Sequence, residues 1–162
     1  MSGIRHAPNC GLLKKVVRIV QKRRDVDCDN MRAALDKVFS RYIRMRDADD
    51  DGYVKCVTCG KREWWQDVDC GHFIQRDRLA VRYSTENAHA QCKRCNRYRG
   101  GEQFLHGEAI RRLHGADAPE RLRIMASQTA RVDAMWYIAQ LDMFREACKR
   151  IERMNPALKT RR

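Results

Sequence analysis

No apolar run in this chain approaches the ~18 residues that a membrane span requires. The stretch from Leu12 to Val20 is interrupted by Lys14, Lys15 and Arg18. The N-terminus lacks a signal-peptide core, which disfavours secretion. Internal repeats and low-complexity segments are missing as well, so solenoid and tail-like architectures drop out. Acidic residues are scarce: 21 Asp+Glu stand against 34 Lys+Arg, a formal net charge of +13 over 162 residues. An apolar fraction of 43% against 34% charged suffices for a small core and argues against wholesale disorder. At this length one domain with appended helices is the expectation. These features describe a soluble, intracellular, basic protein.

The excess charge is spread along the chain. Residues 1–50, 51–100 and 101–162 carry +5, +4 and +4. A positive potential over the whole body favours a polyanionic partner, because each neutralised phosphate releases condensed counterions. Acidic lipid is a weaker alternative, since no amphipathic segment pairs a basic face with exposed Trp or Phe.

The ends of the chain read as helical. Residues 12–24 carry an apolar stripe (Leu12, Leu13, Val16, Val17, Val20) with a basic opposite face. A second helix spans 30–46, where Met31, Leu35, Val38, Tyr42 and Met45 step by four and three. It stops in the run Asp47 to Gly52, which mimics the start of a calcium loop. Thr58 stands where that loop needs a bidentate Glu, so the run reads as a solvated turn. Between Tyr53 and Gly101 the texture changes to strand-like pieces (53–57, 64–73, 81–84) and a short helix over 93–98. Helices return over 104–114, then after Asp117 acting as N-cap with Glu120 at N3. The last runs from 129 to 154, with Ala134, Tyr137, Leu141, Phe144, Cys148 and Ile151 as an ordinary core face. The expected fold class is therefore α+β, mainly α. An N-terminal helical region (1–52) and a C-terminal one (102–162) flank a central segment (53–101).

Eight cysteines are present, and four form two C-x-x-C knuckles: Cys56 with Cys59, and Cys92 with Cys95. Two such pairs complete the tetrahedron of thiolates that zinc prefers. The 32 residues between the knuckles leave room for a hairpin, and the second knuckle opens a helix. Structural zinc follows, stabilising a segment too small to hold its own core. Cys10, Cys28, Cys70 and Cys148 read as small buried apolar side chains, and Trp64 and Trp65 as core and rim. His6, His106 and His114 carry no pattern.

Zinc held by four thiolates is a closed site, so any chemistry belongs to the residues between the knuckles. Asp69-Cys70-Gly71-His72 ends a strand, Asn87 follows His72 by fifteen residues, and Asn96 comes directly after Cys95. Hydrolysis of a phosphodiester needs a base for water, a hard cation on the phosphate and oxygen ligands for that cation. Seven basic residues lie close by and would serve a nucleic-acid backbone: Arg76, Arg78, Arg82, Lys93, Arg94, Arg97 and Arg99.

The pattern C-V-T-C-G, D-C-G-H-F and V-R-Y-S-T-E-N-A-H-A-Q-C-K-R-C-N-R-Y-R-G-G resembles the HNH, or His-Me finger, nucleases with a four-cysteine zinc site. Within these it is most similar to the lambdoid-phage NinG, or Rap, recombination proteins. The resemblance implies a zinc-bound ββα-metal finger. It also implies a metal-dependent endonuclease that cuts branched DNA such as Holliday junctions and D-loops. His72 would be the general base, and Asn87 would brace the hairpin loop. Asn96 would hold the catalytic Mg²⁺ or Mn²⁺. Many HNH enzymes have a second cation ligand, an Asp, at the position of Gly71, and glycine cannot serve. Asp69 is the nearest substitute, although on an ideal strand residues 69 and 72 point to opposite faces and a bulge would be needed. His89 fits the pattern either as a ligand or phosphate contact or as a core residue. The expected setting is the cytoplasm of a bacterial host, on DNA and off membranes. A homodimer and other phage recombination proteins are further expected partners. Two rival readings remain open at this point: a non-catalytic zinc module that binds nucleic acid, and a zinc-stabilised adaptor.

Overall fold

The computed structural model describes residues 29–159. The helix expected over 12–24, and Cys10, Cys28 and His6, lie outside the described residues. The architecture is mainly helical α+β, with two small antiparallel sheets of two strands each. Helix α1 spans 29–46. Strands β1 (Tyr53–Lys55) and β2 (Arg62–Trp64) form one hairpin. Strands β3 (Asp69–His72) and β4 (Ala88–Gln91) form the other sheet, with the single-turn helix α2 (Leu79–Arg82) between them. A π-helical turn (Arg94–Tyr98) leads into α3 (Gln103–His114), α4 (Ala118–Ala126), α5 (Ala134–Met154) and a closing 3₁₀ turn (Pro156–Lys159).

The two long helices make the main core because both carry apolar stripes of helical period. Leu35, Phe39 and Ile43 of α1 meet Tyr137, Leu141 and Phe144 of α5, and Tyr83 and Ala88 close the same cluster. A second cluster joins Met45, Val54, Trp64, Trp65, Ala90 and Cys148, and the Trp65 indole N–H donates to the Leu158 carbonyl at 3.0 Å. The third packs Phe73 and Val81 against Ile110, Ala118 and Leu122. Side chains from the N-terminal, central and C-terminal regions thus share the first cluster. Among the described residues no helix is long and apolar enough to cross a membrane.

The end of α1 also fixes the central sheet through polar contacts. The Arg46 guanidinium donates to the carbonyls of Thr85 (2.8 Å) and Ala88 (3.0 Å), and Asp47 Oδ2 accepts from the Ala90 N–H (2.7 Å). Asp49 serves the turn after α1: Oδ1 accepts from the N–H groups of Asp51 and Tyr53, and Oδ2 takes Arg62. Its carboxylate is thus engaged within the turn, as the solvated-turn reading requires.

The structure differs from the sequence reading at four points. Residues 81–84 are not a strand: Val81 and Arg82 belong to α2, and Tyr83 and Ser84 follow it as a turn. Strand β4 had no counterpart in the sequence reading, because Ala88–Gln91 is buried at all four positions and shows no alternation. The Asp117 side chain makes no capping hydrogen bond to α4; it pairs instead with Arg121 at 2.6 Å, one turn on. The last helix begins at Ala134, five residues later than expected, where Asp133 Oδ1 accepts from the Trp136 N–H at 2.9 Å.

Candidate active site and metal centre

The two knuckles meet. The sulfur atoms of Cys56, Cys59, Cys92 and Cys95 all lie within 4.8 Å of one another. The Cys59 and Cys92 sulfurs are 3.8 Å apart. A tetrahedral zinc with bonds of about 2.3 Å separates its sulfurs by about that distance. The donor set therefore fits a structural metal ion such as zinc. The local chain supports the geometry: Gly60 takes φ +73°, its N–H donates to the Cys56 carbonyl at 2.9 Å, and the Asn96 N–H donates to the Cys92 carbonyl at 3.0 Å. One ion at this point would tie the β1–β2 hairpin to the end of β4 and to the π-helical turn.

Beside this centre a polar cleft of about 710 Å³ opens between α1, β3 and the π-helical turn. Asp69, His72 and Asn96 all line it, with Arg76 and Arg97. Asn96 Nδ2 donates to Asp69 Oδ2 at 3.0 Å, and its own amide oxygen has no hydrogen-bond partner among the described residues. Arg97 donates to both carboxylate oxygens of Asp69, at 2.7 and 2.6 Å. Burial alone would raise the Asp69 pKa, but Arg97 and Asn96 outweigh it and hold the carboxyl below its ordinary value. An ionised carboxylate beside an amide oxygen is a hard donor pair of the kind Mg²⁺ or Mn²⁺ takes. The strand reaches this arrangement without a bulge. β3 pairs with β4 in regular register from Asp69↔Gln91 to His72↔Ala88, and both ends of the strand still border the cleft.

His72 is half-buried, its ring 6.0 Å from that of Phe39. Its Nε2 lies 3.0 Å from the Arg82 carbonyl oxygen. A carbonyl can only accept, so the neutral ring carries its proton on Nε2 and its lone pair on Nδ1. Burial lowers the His72 pKa to about 4, with the nearby charge of Arg76 adding to it. At neutral pH the ring is therefore a free base. The Arg82 carbonyl is held in place because its own guanidinium is anchored: Nε donates to Asp36 Oδ1 at 2.9 Å.

Asn87 is fully buried and holds the segment between the strands at three points. Its Oδ1 accepts from the Ile74 N–H (2.8 Å), and Nδ2 donates to the carbonyls of Ile74 (2.9 Å) and Val81 (3.1 Å). Gly71 has a packing reason. A Cβ added there would stand 2.3 Å from Gln91 Oε1 and 2.9 Å from Gln91 Cβ. The neighbouring strand fills the space that a larger residue would need.

The seven basic residues divide. Arg76, Arg78, Lys93 and Arg94 are exposed; Arg78 lies 3.9 Å from Asp77, and the charges of Arg76 and Lys93 reach Asp36 and Asp69. Arg97 is taken up by Asp69, and Arg99 pairs with Glu102 at 3.0 Å. Arg82 does not face solvent as expected: its side chain is 16% exposed and bound to Asp36, so its charge is spent inside the protein. Cys70 also lines the cleft, and burial pushes its thiol up to about 12, which keeps it protonated and inert. Cys148 is buried in the core.

His89, read as a ligand, a phosphate contact or a core residue, is buried in a cluster whose other members, His106 and His114, the sequence reading did not mark. His89, buried, lies 2.9 Å from His114 (Nε2 to Nε2), and its ring is 5.7 Å from that of His106. His106 is fully buried with neither ring nitrogen hydrogen-bonded. His89 and His114 stand 25 residues apart, so no local spacing marks them.

A small, mainly helical α+β protein with four cysteines placed to hold a metal ion, next to a polar cleft, is the class that this geometry defines. The chain belongs to the NinG family: the family model described as Bacteriophage Lambda NinG protein matches residues 14–154. No curated protein and no solved structure matches it.

Proposed function

We propose that this chain is a metal-dependent endonuclease that cuts branched DNA, with β3, β4 and the π-helical turn acting as the ββα-metal finger of an HNH enzyme. The observation that carries the reading is the meeting of His72, Asp69 and Asn96 in one cleft beside the four cysteines. His72 Nδ1 takes a proton from water while the Arg82 carbonyl holds the ring in that tautomer. Asp69 and Asn96 would supply oxygen donors for Mg²⁺ or Mn²⁺, and such an ion would offset the charge that grows on the phosphate. Asn87 holds the loop that carries the Arg82 carbonyl, and so acts on His72 from behind. Zinc at the cysteines would position the finger and take no part in the reaction. Arg76, Arg78, Lys93 and Arg94 would hold the DNA backbone without reading sequence.

The test is a cleavage assay with the zinc-loaded chain on a synthetic four-way junction and on linear duplex, with Mg²⁺ or Mn²⁺ added. Cutting of the junction that depends on the added ion supports the reading. Tight junction binding with no cutting under either ion would replace it with a non-catalytic nucleic-acid module.

A further inference from the structure

The chain has twelve aromatic residues (four Phe, three Trp, five Tyr), all within the described region. Ten of them are buried or half-buried. The two that are not are Tyr98, 81% exposed, and Phe104, 77% exposed. They sit six residues apart on the segment that forms one wall of the cleft, where Arg97, Gly100, Gly101 and Gln103 line it. Neither ring makes a hydrogen bond or a ring contact among the described residues. Single exposed hydrophobes need no explanation, but both exposed aromatic rings fall on one short segment whose neighbouring residues line the cleft.

The segment between them is sharply bent and firmly held. Gly100, Gly101 and Glu102 take φ values of +57°, +81° and +50° in succession, a left-handed stretch that side chains other than glycine rarely adopt. The Gly101 N–H donates to the Cys95 carbonyl at 2.9 Å, next to the metal centre, and the Gly101 carbonyl accepts from the buried Gln91 Nε2 at 2.8 Å. A turn fixed in this way holds the backbone between the two rings without further ordering, which lowers the entropic cost of placing a flat ligand there. The surroundings are cationic: exposed Lys93 and Arg94 begin the same turn, and the charge of Lys93 reaches Asp69.

We propose that Tyr98 and Phe104 form a stacking platform for unpaired nucleobases, so that the chain selects DNA in which bases at a branch are unstacked. This rests on the endonuclease reading and adds to it the feature that tells branched from linear substrate. Phosphates flanking the unpaired bases would meet Lys93 and Arg94, and the bases would meet the rings. Stacking on aromatic side chains tolerates any base because every base has a flat face, and truncation to alanine costs about 1–3 kcal/mol, or roughly 5- to 150-fold, per base. Continuous duplex, with its bases already stacked, gains nothing from the rings.

The experiment compares wild type with Tyr98→Ala, Phe104→Ala and the double variant, all zinc-loaded, without added Mg²⁺ or Mn²⁺. Binding is measured by fluorescence anisotropy on a junction with unpaired bases at the branch and on linear duplex of equal length. A 2-aminopurine at the branch reports stacking directly. The proposal expects at least a 10-fold loss of junction affinity in the double variant, under 2-fold change on duplex, and loss of the 2-aminopurine quenching that wild type produces. It also expects an unchanged slope of log affinity against log salt, because no cation is removed, and an unchanged melting temperature, because both rings are exposed. Tyr98→Trp should keep the quenching. Equal affinities of wild type and double variant for the branched probe would overturn the platform and leave the endonuclease reading standing. So would a variant that binds DNA normally but has lost self-association, which would make the rings a contact between two copies of the chain. Wild type that binds no better to branched than to linear DNA, and cuts neither, would remove both readings together.

Discussion

An imidazole that burial keeps neutral makes the protein sensitive to acid, and the described residues include three, one of them the half-buried His72. Burial lowers His72 to about 4, His89 to about 3 and His106 to about 4, against an ordinary value near 6.5. Arg46, His106 and His114 add to the effect at His89, and the charge of His72 adds to it at His106. Below pH ~6.5 the unfolded chain binds protons at these sites that the folded chain refuses. Stability is therefore complete above that pH and is lost on the way down to about 4, at about 1.4 kcal/mol per pH unit for each ring. His106→Gln, uncharged at every pH, should flatten the fall of unfolding free energy between pH 6 and 5 by about that amount. Urea denaturation of the zinc-loaded protein at the two pH values measures it. An unchanged slope would mean that His106 is solvated in the native state.

Among elements, the pairing of β3 with β4 matters most, because it carries Asp69 and His72 on one side and leads to Asn96 on the other. The sheet is close-packed at Gly71, where a methyl group would come within 2.3 Å of the Gln91 side chain. Gln91 cannot simply withdraw, since its Nε2 holds the Gly101 carbonyl. Gly71→Ala should therefore cost about 1–3 kcal/mol in urea denaturation, as overpacking does. If the variant were as stable as wild type, the strands would not be packed as described. The same elements show what a sequence can and cannot reveal. The knuckles were legible because metal ligands need fixed local spacing, and α5 was legible because its stripe repeats over six positions. Strand β4 was not, since four residues buried on both faces leave no alternation to read. The residues of α2 looked like a strand because Val81 and Tyr83 favour extended chain. Their helical turn is imposed by packing of Val81 under Ile110 and by the Asn87 contact to the Val81 carbonyl.

At the scale of the whole molecule the charge of +13 overstates what is available to a partner. Seven cations flank the motif in sequence, but Arg82, Arg97 and Arg99 answer Asp36, Asp69 and Glu102. Asp36 lies 46 residues from Arg82, so no local pattern announces that pairing. Four cations, Arg76, Arg78, Lys93 and Arg94, remain exposed, and of these Arg76 lines the cleft. With a slope of about −0.9 per phosphate contact, log affinity for duplex DNA should fall with log salt at about −3 to −4. A slope near −6, measured by anisotropy from 50 to 200 mM salt, would show that the paired arginines reach the DNA after all.

The most direct measurement is the single-turnover rate of junction cleavage by His72→Ala beside its affinity for the same junction. A base that acts only on water contributes about 10²- to 10⁴-fold to the rate. The account predicts a rate lower by at least 100-fold with affinity within 2-fold of wild type. A variant that still cuts at the wild-type rate, with the same dependence on Mg²⁺ or Mn²⁺, would contradict it.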